Sequence, residues 1–113
     1  MAIENHSEIP HDVHVRIEHD FRQNLVELVC TRLLEKIPDN LPNGTLERHL
    51  RCVVYLAKGD FAKLNSAIEL CLQDTRDVMM AAEYETDEAG NLVRKRNFML
   101  PMDAPENTEP PGI

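Results

Sequence analysis

Four of the five histidines, His6, His11, His14 and His19, fall within 14 residues. They stand among Glu4, Glu8, Asp12, Glu18 and Asp20. Imidazole and carboxylate are the ligands that divalent transition metals take. His11, His14, Glu18 and His19 are therefore the metal-ligand candidates, for a small metal-dependent enzyme or metal sensor. No H-E-x-x-H template accompanies them. A helix would place His11, His14 and Glu18 on one face, at i, i+3 and i+7. An extended chain would place His14 and Glu18 on a face shared with Arg16, which disfavours a cation. The bland alternative is a solvated polar arm that holds no metal. A pH-responsive contact is a third reading, because histidine titrates near neutrality.

Two other charged clusters have candidate chemistry. Asp74, Arg76 and Asp77 form an acid–base–acid group inside a long helical stretch. They fit a structural polar cluster that caps a helix break, or a polar pocket at a kink. Arg76 is the first to test, since a buried bidentate arginine can pin several elements together. Arg94-Lys95-Arg96 is the basic run of the chain. It could touch phosphate, or answer acidic charge within the same protein. One such pairing sets it across strands from an extended acidic segment at residues 12–18. The four glycines stand apart, so no glycine-rich phosphate loop is present. Ser7 and Ser66 have no nucleophile context.

The elements that must position these groups are mainly helical. The turn at Lys58-Gly59-Asp60 organises the chain. Glycine suits the left-handed residue that closes a helix, and aspartate suits the N-cap that opens the next. Before it, Leu46, Leu50, Val53, Val54 and Ala57 make an apolar stripe at helical spacing. After it, Phe61, Leu64, Ala67, Ile68, Cys71 and Leu72 make another, continuing through Val78, Met79 and Ala82. The pair reads as an αα-hairpin. Its arms are unequal, 13 residues against 24, or roughly 20 Å against roughly 36 Å. The longer arm should overhang its partner from about Gln73. Val78, Met79, Ala82 and Tyr84 then form an uncovered apolar segment and a candidate interaction surface. Met79, Met80, Met99 and Met102 add adaptable apolar contact.

Upstream, Val13, Val15 and Ile17 alternate with His14, Arg16 and Glu18. Strict alternation of β-branched residues favours a short extended arm over residues 12–18. The rival is one continuous helix from Asp12 to Ile37. At about 100° per residue, that helix would point Val13 and Ile17 away from Val29 and Leu33. The first helix is therefore expected to start at Asp20, with Gln23 completing a capping box, and to end before Pro38. Residues 1–11 read as a flexible lead, 12–103 as a single helical domain with an extended arm (12–18) and tail (86–103), and 104–113 as a disordered tail.

Composition sets the outer bounds. A chain of 113 residues with 42% apolar residues, 4% aromatics and no tryptophan supports one modest core. The formal charge of −8 divides into −3 over residues 1–18, −2 over 19–84 and −3 over 85–113. Acidic ends on a nearly neutral body argue against a nucleic-acid or anionic-membrane partner. No apolar run is long enough to span a membrane, and no basic region leads an apolar stretch at the N-terminus. Cys30, Cys52 and Cys71 include no C-x-x-C pair and read as reduced, buried side chains, so the expected location is cytoplasmic.

Residues 51–84 resemble a small family of uncharacterised bacterial helical proteins with no assigned function. The likeness is carried by Leu56-Ala57-Lys58-Gly59-Asp60, Leu64, Asp74, Arg76-Asp77-Val78 and Ala82-Glu83-Tyr84. It implies a helical bacterial protein and transfers no catalytic residue. The expectation is a mainly α fold of three to four helices built around an αα-hairpin. Its leading function is a non-catalytic protein–protein interaction or assembly module, as a homodimer or with a protein partner and without a cofactor. A divalent transition metal is the alternative.

Overall fold

The computed structural model describes residues 9–104. Of the flexible lead expected at 1–11 and the disordered tail expected at 104–113, residues 1–8 and 105–113 lie outside the described residues. Five α-helices lead to a small hairpin: α1 His11–Asp20, α2 Val26–Lys36, α3 Leu46–Ala57, α4 Phe61–Gln73 and α5 Thr75–Glu83. The antiparallel strands β1 Tyr84–Thr86 and β2 Leu92–Arg94 follow. The fold is mainly α.

The αα-hairpin is α3 and α4, and its turn uses the residues the sequence singles out. Lys58 (φ 48°) and Gly59 (φ 77°) are both left-handed. The Asp60 side chain then accepts from the Ala62 and Lys63 amides and caps α4. A Cβ on Gly59 would lie 2.4 Å from the Asp20 carbonyl oxygen. Only glycine lets this turn press backbone against the end of α1.

The extended arm is replaced by a helix. Val13 and Ile17 are four residues apart and fully buried, whereas Val15 between them is exposed. Alternation over so short a stretch is compatible with either period. A single helix axis from Asp12 to Ile37 would scatter the apolar face, but the chain has two axes. α1 ends at Asp20, Phe21 is extended and buried, and α2 begins at Val26 after a 3-10 turn at Gln23–Leu25. Asp20 therefore ends a helix and caps none. Ile9 is also buried, so the core reaches back into the expected lead.

The overhang is likewise absent. The Asp74 backbone is extended (φ −162°), and its side chain caps α5 through the Arg76 amide at 2.9 Å. The helix breaks there, and α5 packs on α3 as well as on α4. Val78 and Ala82 are fully buried in the core that all five helices share. They are interior residues, not an interaction surface. Met79 and Tyr84 are half-buried.

Candidate functional site

The structure separates the metal candidates. His14 and Glu18 approach to 3.7 Å along α1. His19 turns to Asp20 at 2.9 Å, and His11 is exposed. No group of three histidine, cysteine or carboxylate side chains is gathered for a metal ion among the described residues. His6 lies outside them. Arg76 is exposed and, among the described residues, its side chain bonds only its neighbour Asp74, so it pins no distant described element. Hydrogen bonds from the Arg76 side chain and amide hold the Asp74 carboxyl below its ordinary value.

The basic run does not pair with residues 12–18. It closes on α5 and the hairpin beside it. Glu83, fully buried at the end of α5, is the hub. Its carboxylate accepts from Arg48 Nε at 2.9 Å and Nη2 at 2.8 Å. It also accepts from Arg94 Nη2 at 2.7 Å and from the Phe98 amide at 3.1 Å. The Glu83 carbonyl accepts from the Lys95 and Arg96 amides. Burial pushes the Glu83 carboxyl up, but these donors outweigh it and hold it below its ordinary value. α3, α5 and the segment after β2 thus meet on one residue.

A second clasp lies on the neighbouring side of α3. Arg51 donates to both oxygens of Asp12, at 2.9 and 3.2 Å, and to the Phe98 carbonyl at 3.1 Å. Asp12 also accepts from the Met102 amide at 2.9 Å. Burial would raise the Asp12 carboxyl, and the Arg51 and Met102 hydrogen bonds reverse that. His49, two residues earlier on α3, is buried, and neither ring nitrogen has a well-formed hydrogen bond. Burial and the adjacent Arg48 charge hold it below its ordinary value, so it is neutral at pH 7.

About one turn beyond Arg51, α3 presents Tyr55. Three cations gather on its ring, with Lys58 Nζ at 3.9 Å, Arg96 Cζ at 4.4 Å and Arg16 Cζ at 5.9 Å from the centroid. Phe98 supports the ring from below at 5.5 Å. The reason for the gathering is local. Lys58 follows Tyr55 by one helical turn. Arg16 is delivered by α1, whose end abuts Gly59. Arg96 is drawn in by the Ala82 carbonyl at 2.9 Å and by the Glu85 carboxylate. Tyr55 and Arg48 were not among the residues singled out from the sequence, and Glu83 appeared there only within the resemblance, with no role. The only signals were the Tyr55–Lys58 spacing and charged residues set within apolar stripes.

The three cysteines are free and buried. Burial first, then nearby Glu18 and Glu27, pushes the Cys30 thiol up to about 11. Burial pushes Cys71 up to about 11 as well, and burial with Glu83 pushes Cys52 higher still. None is a thiolate nucleophile at neutral pH. No helix among the described residues is long and apolar enough to cross a membrane. Comparison of the chain with protein-family models, characterised proteins and solved structures finds no match.

Proposed function

We propose that this protein is a non-catalytic interaction module of the cytoplasm, whose docking face is centred on Tyr55. The observation that carries the reading is the contrast between its two kinds of charge. Asp12 and Glu83 are held by arginines and amides and serve as braces. The Tyr55 cluster is instead a cationic island on a chain of net charge −8, with Lys58 exposed, Tyr55 and Arg16 half-buried and Arg96 buried beneath them. Tyrosine and arginine are the residue types that dominate the binding energy of protein interfaces. A second copy of this chain is a candidate partner, because its acidic surface complements the island. A two-fold contact of island on island would oppose like charges. Buried reduced thiols and the acidic balance support a cytoplasmic setting. Light scattering over a concentration series, for wild type and Lys58→Glu, tests the assembly. The expected outcome is self-association that weakens with salt and with the charge reversal. Self-association that is indifferent to both would remove the Tyr55 face from the reading.

A further inference from the structure

We infer that the Tyr55 cluster is a recognition site for a phosphate monoester, with the Glu85 carboxylate occupying the ligand's place until it binds. The inference deepens the interaction reading and rests on it. Three like charges gather within 5.9 Å of one ring centre, whose face attracts each of them, and their mutual repulsion is eased further by nearby anions. Two carboxylates serve as those anions. Asp20 takes Arg16 Nε at 2.9 Å, and Glu85 takes Arg96 Nη2. One positive charge remains over. The uncommitted donors lie on the same side chains. Lys58 Nζ is exposed and has no carboxylate partner, Arg16 engages through Nε alone, and Arg96, itself 7% exposed, is held through Nε and Nη2, all among the described residues. The Tyr55 hydroxyl has no hydrogen bond there either.

The two carboxylates are not equivalent. Asp20 is 11% exposed, bonded to both Arg16 and His19, and its backbone is wedged under Gly59. It is fixed. Glu85 is 45% exposed, stands on the first strand of a short hairpin, and among the described residues its carboxylate bonds only Arg96. It is displaceable. Once Glu85 leaves, three cations face Asp20 alone, an excess of two positive charges. A carboxylate or a phosphodiester brings a single negative charge and leaves the balance where Glu85 had it. A phosphate monoester brings a charge of about −1.5 to −2 at pH 7 and matches the excess. Arginine binds its oxygens as a fork and lysine as a point charge. The selectivity is for the dianion, which sets a monoester apart from the backbone of a nucleic acid.

The test is a titration of the full chain, followed through backbone amide NMR signals, with four probes. They are inorganic phosphate, O-phospho-L-serine, a short phosphoserine peptide and dimethyl phosphate as the monoanionic control. Binding of the first three is expected to shift the signals of Arg16, Tyr55 and Lys58, and to weaken with salt. Dimethyl phosphate is expected to leave them in place. Lys58→Ala, at an exposed position, should weaken binding about fivefold. Glu85→Gln should strengthen it, because the internal competitor loses its charge. A peptide that binds more tightly than inorganic phosphate identifies a phosphorylated partner chain. Equal affinities identify a free phosphate compound. An absence of shifts at millimolar phosphate, or equal response to dimethyl phosphate, or binding untouched by Lys58→Ala, overturns the ligand assignment. If Lys58→Glu still abolishes self-association in that case, the interaction reading stands without it.

Discussion

Replacing Glu83 by glutamine tests the hub most directly. The substitution keeps the shape and the backbone carbonyl that receives the Lys95 and Arg96 amides. It removes the charge that four side-chain-directed donor bonds converge on. Breaking a buried ion pair from one side costs about 3–5 kcal/mol. Solvent reduces that here. The Arg94 side chain is 39% exposed, so its share falls to the surface range of about 0–1 kcal/mol. Arg48 is 17% exposed and bidentate, so it holds most of the remainder. The Phe98 amide can still donate to the glutamine oxygen. The expected loss is therefore about 3 kcal/mol, at the low end for a buried pair. At about 4 °C per kcal/mol for a domain of this size, the midpoint of thermal unfolding should fall by about 12 °C. Urea unfolding followed by circular dichroism measures the loss. Arg48→Gln should come close to the same value, and Arg94→Gln should stay within about 1 kcal/mol. A loss under about 1 kcal/mol for Glu83→Gln would refute the reasoning, and so would equal losses for the two arginines.

Three further outcomes follow from the same structure. Gly59→Ala meets a positive φ and a carbonyl oxygen 2.4 Å from its new methyl. It should destabilise by about 2 kcal/mol or more by urea unfolding, and a neutral result would show that α1 does not abut the turn. Acid should weaken the fold in two stages, seen as the urea midpoint against pH. His49 has a folded pKa below its ordinary 6.5, so the unfolded chain binds the extra proton and stability falls as pH drops through 6.5. Glu83 and Asp12 have lowered values, so their contribution is intact above the ordinary 4.5 and 3.8 and is lost below them. His49→Leu should remove the first stage alone, and a midpoint flat from pH 7 to 4.5 would contradict the buried neutral imidazole. The buried thiols should react with a thiol-specific reagent only as fast as the chain opens, and rapid labelling of the native state would show that Cys30, Cys52 or Cys71 is reachable.

What the sequence made legible was local. Asp60 and Asp74 announce their caps by residue type, and Gly59 by the turn it permits. The α3 stripe is written at helical spacing, and Leu50, Val53, Val54 and Ala57 are all buried. What stayed hidden depends on where an axis bends. Val13 and Ile17 looked misplaced only because α1 and α2 were given one axis, and the buried bend at Phe21 has no signal in periodicity. The overhang failed for the same reason, since the Asp74 break allows α5 to fold back onto α3. The candidate site was less legible still. Tyr55, Arg16 and Arg96 come from three distant parts of the chain, and only tertiary packing brings their charges to one ring.

The bond from the Met102 amide to Asp12 spans 90 positions. It makes the described chain nearly a closed ring. Closing so long a loop costs roughly 4 kcal/mol of chain entropy beyond a constant. The contacts among α3, α4 and α5 close far shorter loops, so they should be in place before the ring shuts. The ring is then the last part to form and the first to open. α1 and the segment after β2 should exchange their amide protons together, ahead of the helical hairpin. The same proximity suits the protein to circular permutation. Joining the ends of the described segment, residues 9 and 104, with a short linker and cutting in the exposed 87–91 turn should retain the fold of that segment.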